Sequence, residues 1–410
     1  MAASWPKQHA KPVRDPIELL AMKMHLLRHK RSSGFSLIEL LVAMAIGLVV
    51  TIAITSVMVS FGNSRRTGTA LNDANQSATY SGFVMDRYLR NAGSGFAQRS
   101  DEAFGCLINA TENGQVRLPR ADDYPAPFNG ILAASRPRRL IPVLIEQGAA
   151  GAGGDVLTVM AGTSGMGEWP QAVTAGTVTE TGLQLGNTLS WRGGDMLLLA
   201  DPTVPAGCLL GQVSNGFAGS LTSQLPFSGA YFTAAGPTVS LVNFGAGNDT
   251  LAIQLGNAAG NPPQLQMFAA DANARLQSFD LLRGGNDGLI PLADGVIEMR
   301  AIYGTTLTTN VNRTRDGWAD PGVTPFTAGE LTSGSPAAVT NLKRIVAVRF
   351  GLILRSSLRE RDPIEQPGTV TLFSGLPGQR IRTFTPEEMH FRYRTVEMTV
   401  PLRNMLDEQP

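Results

Sequence analysis

Leu40 to Ser64 is a run of 25 residues without a charged side chain. Its apolar part, Leu40 to Phe61, exceeds the ~20 residues that a helix needs to cross a bilayer. A helix that is apolar on every side must be covered by lipid or by other protein, so an ordinary water-soluble start to the chain is excluded. The run is also too long for the apolar core of a secretory signal. No small-x-small cleavage pattern follows it near residues 60–63. Arg28, Lys30 and Arg31 precede it, and Arg65 and Arg66 follow it. The larger basic cluster is N-terminal, which predicts a cytoplasmic N-terminus and a body beyond residue 65 on the periplasmic or external side.

Glu39 is the one ionisable residue between Arg31 and Arg65. A carboxylate at the centre of a membrane helix costs ~2.5–3.5 kcal/mol, and less near the start of the helix, where Glu39 stands. Two readings follow: the side chain rests among the headgroups, or assembly supplies a cation for it. The residues around it are ordered as a basic cluster, then Gly34-Phe35-Ser36-Leu37-Ile38-Glu39, then the apolar run. That order resembles the processing site and N-terminal helix of type IV pilins and pseudopilins. The resemblance implies cleavage by a dedicated peptidase between Gly34 and Phe35, N-methylation of Phe35, and a role for Glu39 in assembly. An unpaired charge is strongly disfavoured in a low-dielectric helix bundle, so the carboxylate of one subunit would meet the new amine of another and set the register.

Helical signals continue past the apolar run. Ala78, Met85, Leu89 and Ala92 fall on one helical stripe, and Gly93 is a natural stop. A helix over residues 36–92 would measure ~85 Å. Gly47, Gly62, Gly68 and Gly82 each weaken it by ~1 kcal/mol relative to Ala, which predicts bends or frayed turns near 62–68.

From Ser94 onward the pattern changes to short β runs separated by Gly, Asn, Asp and Pro, and the 45 glycines and 25 prolines favour a turn-rich β body. Candidate strands cover residues 155–160, 196–200, 238–244, 250–255, 295–303, 344–354 and 395–400. The loop-like stretches 148–154 and 256–263 leave room for two β sub-domains. Residues 1–34 carry seven Lys/Arg against two Asp/Glu, and the remainder 27 against 31, so the body is mildly acidic. Nucleic-acid binding needs clustered positive charge and is not predicted. Arg136-Pro137-Arg138-Arg139 reads as an exposed loop face.

Beyond the N-terminal motif, the chain is similar to the PilW family of type IV pilus assembly proteins, a group of large minor pilins. The similarity lies in residues 83–93, with their Asp86, Leu89-Arg90 and Ala92-Gly93, in Cys106, and in residues 155–159, 295–304, 344–356 and 399–404. It is strongest over residues 34–93 and thin between about 110 and 290. A disulfide between Cys106 and Cys208 is implied, although Cys208 follows Ala206-Gly207 where the family has an Asp. Two buried, unlinked thiols are the other reading.

Little supports an enzyme. Of His9, His25, His29 and His390, three lie in the leader, and no nucleophile motif surrounds a serine. Residues 284–288 lack the Lys-Ser/Thr end of a phosphate-binding loop. The Asn248-Asp249, Asn286-Asp287 and 316–320 loops do not match an EF-hand; calcium ligation is one reading of them, and turn chemistry explains them equally well. No metal and no cofactor are expected.

The expected architecture is α+β and pilin-like: a long N-terminal helix followed by a large, mainly antiparallel β head. Residues 1–34 form a prepilin leader, of which 1–21 read as an over-long start ahead of Met22 or Met24. Residues 35–64 form the transmembrane and assembly helix, 65–93 its amphipathic continuation, and 94–410 the periplasmic or extracellular head. Implied partners are other minor and major pilins, the prepilin peptidase/methyltransferase and the inner-membrane assembly platform. Two alternatives are a minor pseudopilin of type II secretion and a tip-borne adhesin or ligand-binding module.

Overall fold

The computed structural model describes residues 34–165, 169–204, 207–221, 223–306 and 314–406. The basic leader, with Met22 and Met24, lies outside the described residues. One helix, Leu37–Asn91, opens the described chain. The chain divides after Arg65 into two compact units.

In the first unit every residue from Leu37 to Gly62 is exposed. Burying a Leu, Ile, Val or Phe side chain is worth roughly 1.5–3 kcal/mol, so an apolar surface of this length requires a non-aqueous environment. The helical assignment runs without interruption through Gly62 and Gly68, and no frayed turn is present there.

In the second unit the helix becomes one-sided. Ala70, Ala74, Ala78, Ser81, Met85 and Leu89 are buried, while Tyr80 and Phe83 on the other side are exposed. Small side chains along the buried stripe let the head approach closely. A Cβ placed on Gly82 would stand 2.9 Å from the sulfur of Met398. The helix ends at Gly93, whose φ of +81° suits glycine. The freed carbonyls of its last turn find a partner at the far end of the chain. The Asn404 side-chain amide donates to the Asn91 and Ala92 oxygens at 3.1 and 3.0 Å.

The head is β-rich and mostly antiparallel, which with the helix makes the fold α+β. A five-stranded sheet runs in the order Leu289–Asp294, Arg275–Asp280, Gln264–Ala270, Val156–Ala161, Val143–Glu146. A four-stranded sheet runs Gly317–Ala319, Val296–Thr305, Ile345–Arg355, Tyr393–Pro401. Between these sheets and the helix lies the main core, where Tyr88 meets Phe268 edge-on at 5.0 Å. In Ile345–Arg355 the period-two pattern is visible in the packing: Val348, Phe350, Leu352 and Leu354 enter the main core, and Ile353 enters a small cluster with Phe373 and Phe384.

A six-stranded sheet completes the head, in the order Gln115–Leu118, Ile108–Glu112, Cys208–Gln212, Asp195–Ala200, Leu251–Asn257, Gln171–Ala172. One pair in it is parallel, Ile108 against Cys208. Leu198 and Leu210 face the main core, whereas Leu197, Leu199 and Leu209 face a second core built around Trp191, Phe227 and Phe244. Cys106 and Cys208 form a disulfide with their Cα atoms 5.6 Å apart, beside that parallel pair. It spans 102 residues of sequence, worth up to about 4–5 kcal/mol on a chain-entropy model.

Residues 148–154 connect two strands of the five-stranded sheet, and 256–263 lead from the six-stranded sheet into it; both lie within one compact unit. Two sequence expectations are corrected. Residues 238–244 do not form a strand. Ser240 and Asn243 bond reciprocally across a short 3-10 turn, Leu241–Asn243, while Val239, Leu241 and Phe244 drop into the second core. Their apolar spacing served a buried turn, not a pleat.

The Arg136–Arg139 cluster is not an exposed face either. Arg138 is 1% exposed and pairs with Glu146 at 2.8 Å, its guanidinium 5.1 Å from the Tyr124 ring. Glu146 ends a strand buried along its whole length, and that carboxylate requires a counter-charge. Arg139 donates to the Gly105 carbonyl at 2.6 Å.

Candidate processing and assembly site

Residues 34–36 precede the helix in non-helical conformation, and Leu37 is its first residue. Ser36 therefore occupies the N-cap, and Glu39 is the third helical position. Two reciprocal hydrogen bonds join them. The Ser36 hydroxyl oxygen accepts from the Glu39 amide at 3.2 Å, and the Glu39 Oε2 atom accepts from the Ser36 amide at 2.9 Å. This is a capping box, which satisfies two backbone donors that a helix start otherwise leaves open. The first bond of the helical ladder then runs from the Leu40 amide to the Ser36 carbonyl at 3.2 Å.

Phe35 is 86% exposed. A Cβ added at Gly34 meets nothing within 4 Å, and its φ lies outside the left-handed region. Among the described residues, nothing in the packing demands glycine at that position.

The sequence places Gly34, Phe35 and Glu39 within six residues, and the local structure holds them at one helix end. Ser36 is the residue that sequence reasoning passed over. Its signal was present, as a Ser-x-x-Glu pattern directly ahead of an apolar run. Cys106 and Cys208 lie elsewhere, in the head.

The head also holds a ladder of paired charges. Arg300 bonds Asp155 at 2.9 Å and Glu298 at 2.6 Å, and Arg382 bonds Glu298 at 2.7 Å and Glu388 at 2.6 Å. Arg380 beside it reaches Asp320 at 2.8 Å. The ladder fastens the hairpin of Thr369–Leu372 and Arg380–Thr383 to the four-stranded sheet. Its charges are consumed in pairs, and it has the form of a structural clasp. Among the described residues, no group of three or more His, Cys, Asp or Glu side chains is placed to hold a metal ion.

Comparison with protein families bears on both ends of the chain. Residues 29–60 match the prokaryotic N-terminal methylation motif, and residues 255–404 match Type IV Pilus-assembly protein W. These two matches make the chain similar at its N-terminus to proteins carrying that motif, and over residues 255–404 to the PilW family. The PilW match begins within the last strand added to the six-stranded sheet and ends at Asn404, the residue that caps the long helix. Comparison with curated proteins and with solved structures finds no match. The printed name of the matched family places its members in type IV pilus assembly. The methylation motif and the apolar helix fit an inner-membrane-anchored pilin.

Proposed function

We propose that this type IV minor pilin is cut between Gly34 and Phe35, methylated on the new Phe35 amine, and built into the pilus as a priming or tip subunit. The observation that carries the reading is the methylation motif joined to a helix whose apolar surface has no cover within the chain, from Leu37 to Gly62. Such a helix suits a bilayer first and a bundle of like helices afterwards. Since no described residue around Gly34 excludes a side chain, the demand for glycine there is assigned to the peptidase. The Glu39 carboxylate, exposed at the helix start, is assigned the pairing with the amine of a neighbouring subunit. The N-terminus is cytoplasmic and the head periplasmic until assembly carries it to the pilus. The partners are other minor and major pilins, the prepilin peptidase/methyltransferase and the assembly platform. A deletion strain tests the reading: surface pili fall sharply in number and return when the gene is restored. Unchanged piliation would remove the priming role.

A second reading is favoured by a specific observation. The family match leaves out residues 94–254, which supply five strands of the six-stranded sheet, two of the five-stranded sheet and all of the second core. A lobe added in this way suits a ligand-binding or adhesive module at the pilus tip. Under that reading, piliated cells lacking the gene lose attachment while keeping their pili. The type II secretion alternative gains nothing from the match to a pilus-assembly family.

A further inference from the structure

We propose that Ser36 is a positioning residue for processing: its hydroxyl ends the helix two residues short of the scissile bond and so keeps that bond available for cleavage. The inference rests on the reading that cleavage falls between Gly34 and Phe35. Its basis is a competition for one donor. Had the helix extended one residue toward the N-terminus, the Glu39 amide would close on the Phe35 carbonyl, four residues back. With one more residue, the Ile38 amide would close on the carbonyl of Gly34, the carbonyl that peptide hydrolysis must polarise. Instead the Glu39 amide is held by the Ser36 hydroxyl at 3.2 Å, and residues 34–36 remain outside the helix. The methylation-motif match, residues 29–60, spans the bond in question and is what supports assigning a processing enzyme to it.

The two halves of the box separate two tasks. The hydroxyl of Ser36 acts on a backbone amide of residue 39, so it does not need the Glu39 carboxylate. Among the described residues the carboxylate accepts the Ser36 amide, at 2.9 Å, and water or a neighbouring subunit replaces that donor readily. Ser36 thereby serves cleavage and Glu39 serves assembly, although they are bonded to each other.

The test uses the full-length precursor in membranes with its peptidase, following leader loss over time and sequencing the new N-terminus. Wild-type cleavage at any other bond refutes the processing reading itself and is seen independently of any variant. Given correct wild-type cleavage, Ser36→Ala should slow leader loss roughly fivefold, the factor that corresponds to a typical N-cap. Ser36→Thr and Ser36→Asp, which keep a capping oxygen, should restore it. Glu39→Ala should be cut at the wild-type rate, and once-cleaved Ser36→Ala subunits should still enter pili. Quantifying each precursor in the membrane fraction separates slow cleavage from failed insertion. Equal rates for Ser36→Ala and wild type overturn the proposal, as do Ser36→Thr and Ser36→Asp precursors cut as slowly as Ser36→Ala.

Discussion

Asn404 donates its side-chain amide to the carbonyl oxygen of Asn91, 313 residues earlier, at 3.1 Å. The last described turn of the chain thus closes the C-terminal end of the long helix Leu37–Asn91. The same amide reaches the Ala92 carbonyl at 3.0 Å, so a single side chain serves two carbonyls at the helix end, of which that of Asn91 also accepts from the Ser94 amide at 3.0 Å. Asn404→Ala removes both bonds and is expected to lower stability by about 1–2 kcal/mol. Denaturant unfolding of the detergent-solubilised chain measures this; an unchanged midpoint would show that water replaces the cap without loss.

At the other end of the helix, two substitutions should separate processing from assembly. Gly34→Val is expected to leave the precursor uncut, because the peptidase must accommodate that position closely. Glu39→Ala is expected to be cut normally and to accumulate in the membrane without entering pili. Electrophoretic mobility and pilus shear fractions report the two outcomes. A normally processed Gly34→Val precursor would refute the site, and normal incorporation of Glu39→Ala would refute its assembly role.

Inside the head, Arg138 and Glu146 stand 1% and 5% exposed. Burial pushes the Glu146 carboxyl up, and the adjacent Arg138 guanidinium opposes that rise. Arg138→Met leaves a buried carboxylate without a partner and should cost about 3–5 kcal/mol, whereas Arg138→Met with Glu146→Leu should recover most of the loss. Thermal unfolding of the single and double variants decides it. If the double variant is no more stable than the single one, the pair contributes through packing and not through charge.

The clasp at the 369–383 hairpin should weaken in acid. Burial acts against the Glu388 charge, but the Thr385 amide and Arg382 outweigh it and hold this carboxyl below the usual range. Asp320, likewise opposed by burial, is held low by Arg380 and the Gly322 amide. A carboxyl depressed in the folded state contributes stability above its ordinary value near pH ~4, and that contribution is lost as pH falls through the depressed value. Burial pushes Asp155 the other way, so the local readout is more informative than global stability. Hydrogen exchange of hairpin amides, corrected for intrinsic rates, should show protection falling at pH ~3 relative to pH ~6. Constant protection would mean that apolar contacts alone hold the hairpin.

The sequence by itself determined the long N-terminal helix of this protein. A charge-free run, a stripe of small and apolar residues, and Gly93 are local signals, and local backbone geometry obeys them. The order of Gly34, Phe35 and Glu39 was equally legible, as were six of the seven strands expected, because those runs are short, apolar and bounded by turn residues. Residues 238–244 show the limit: an apolar pattern fits a strand or a turn folded into a core, and Ser240 with Asn243 decided for the turn. Only the tertiary structure decided that Arg138 is a core residue, since its partner Glu146 becomes buried when two strands pair. Only it brought Asp155, Glu298, Arg300, Arg382 and Glu388 into one ladder, and Asn404 onto Asn91. Those arrangements depend on contacts between segments far apart in the chain, for which no spacing along the sequence carries a signal.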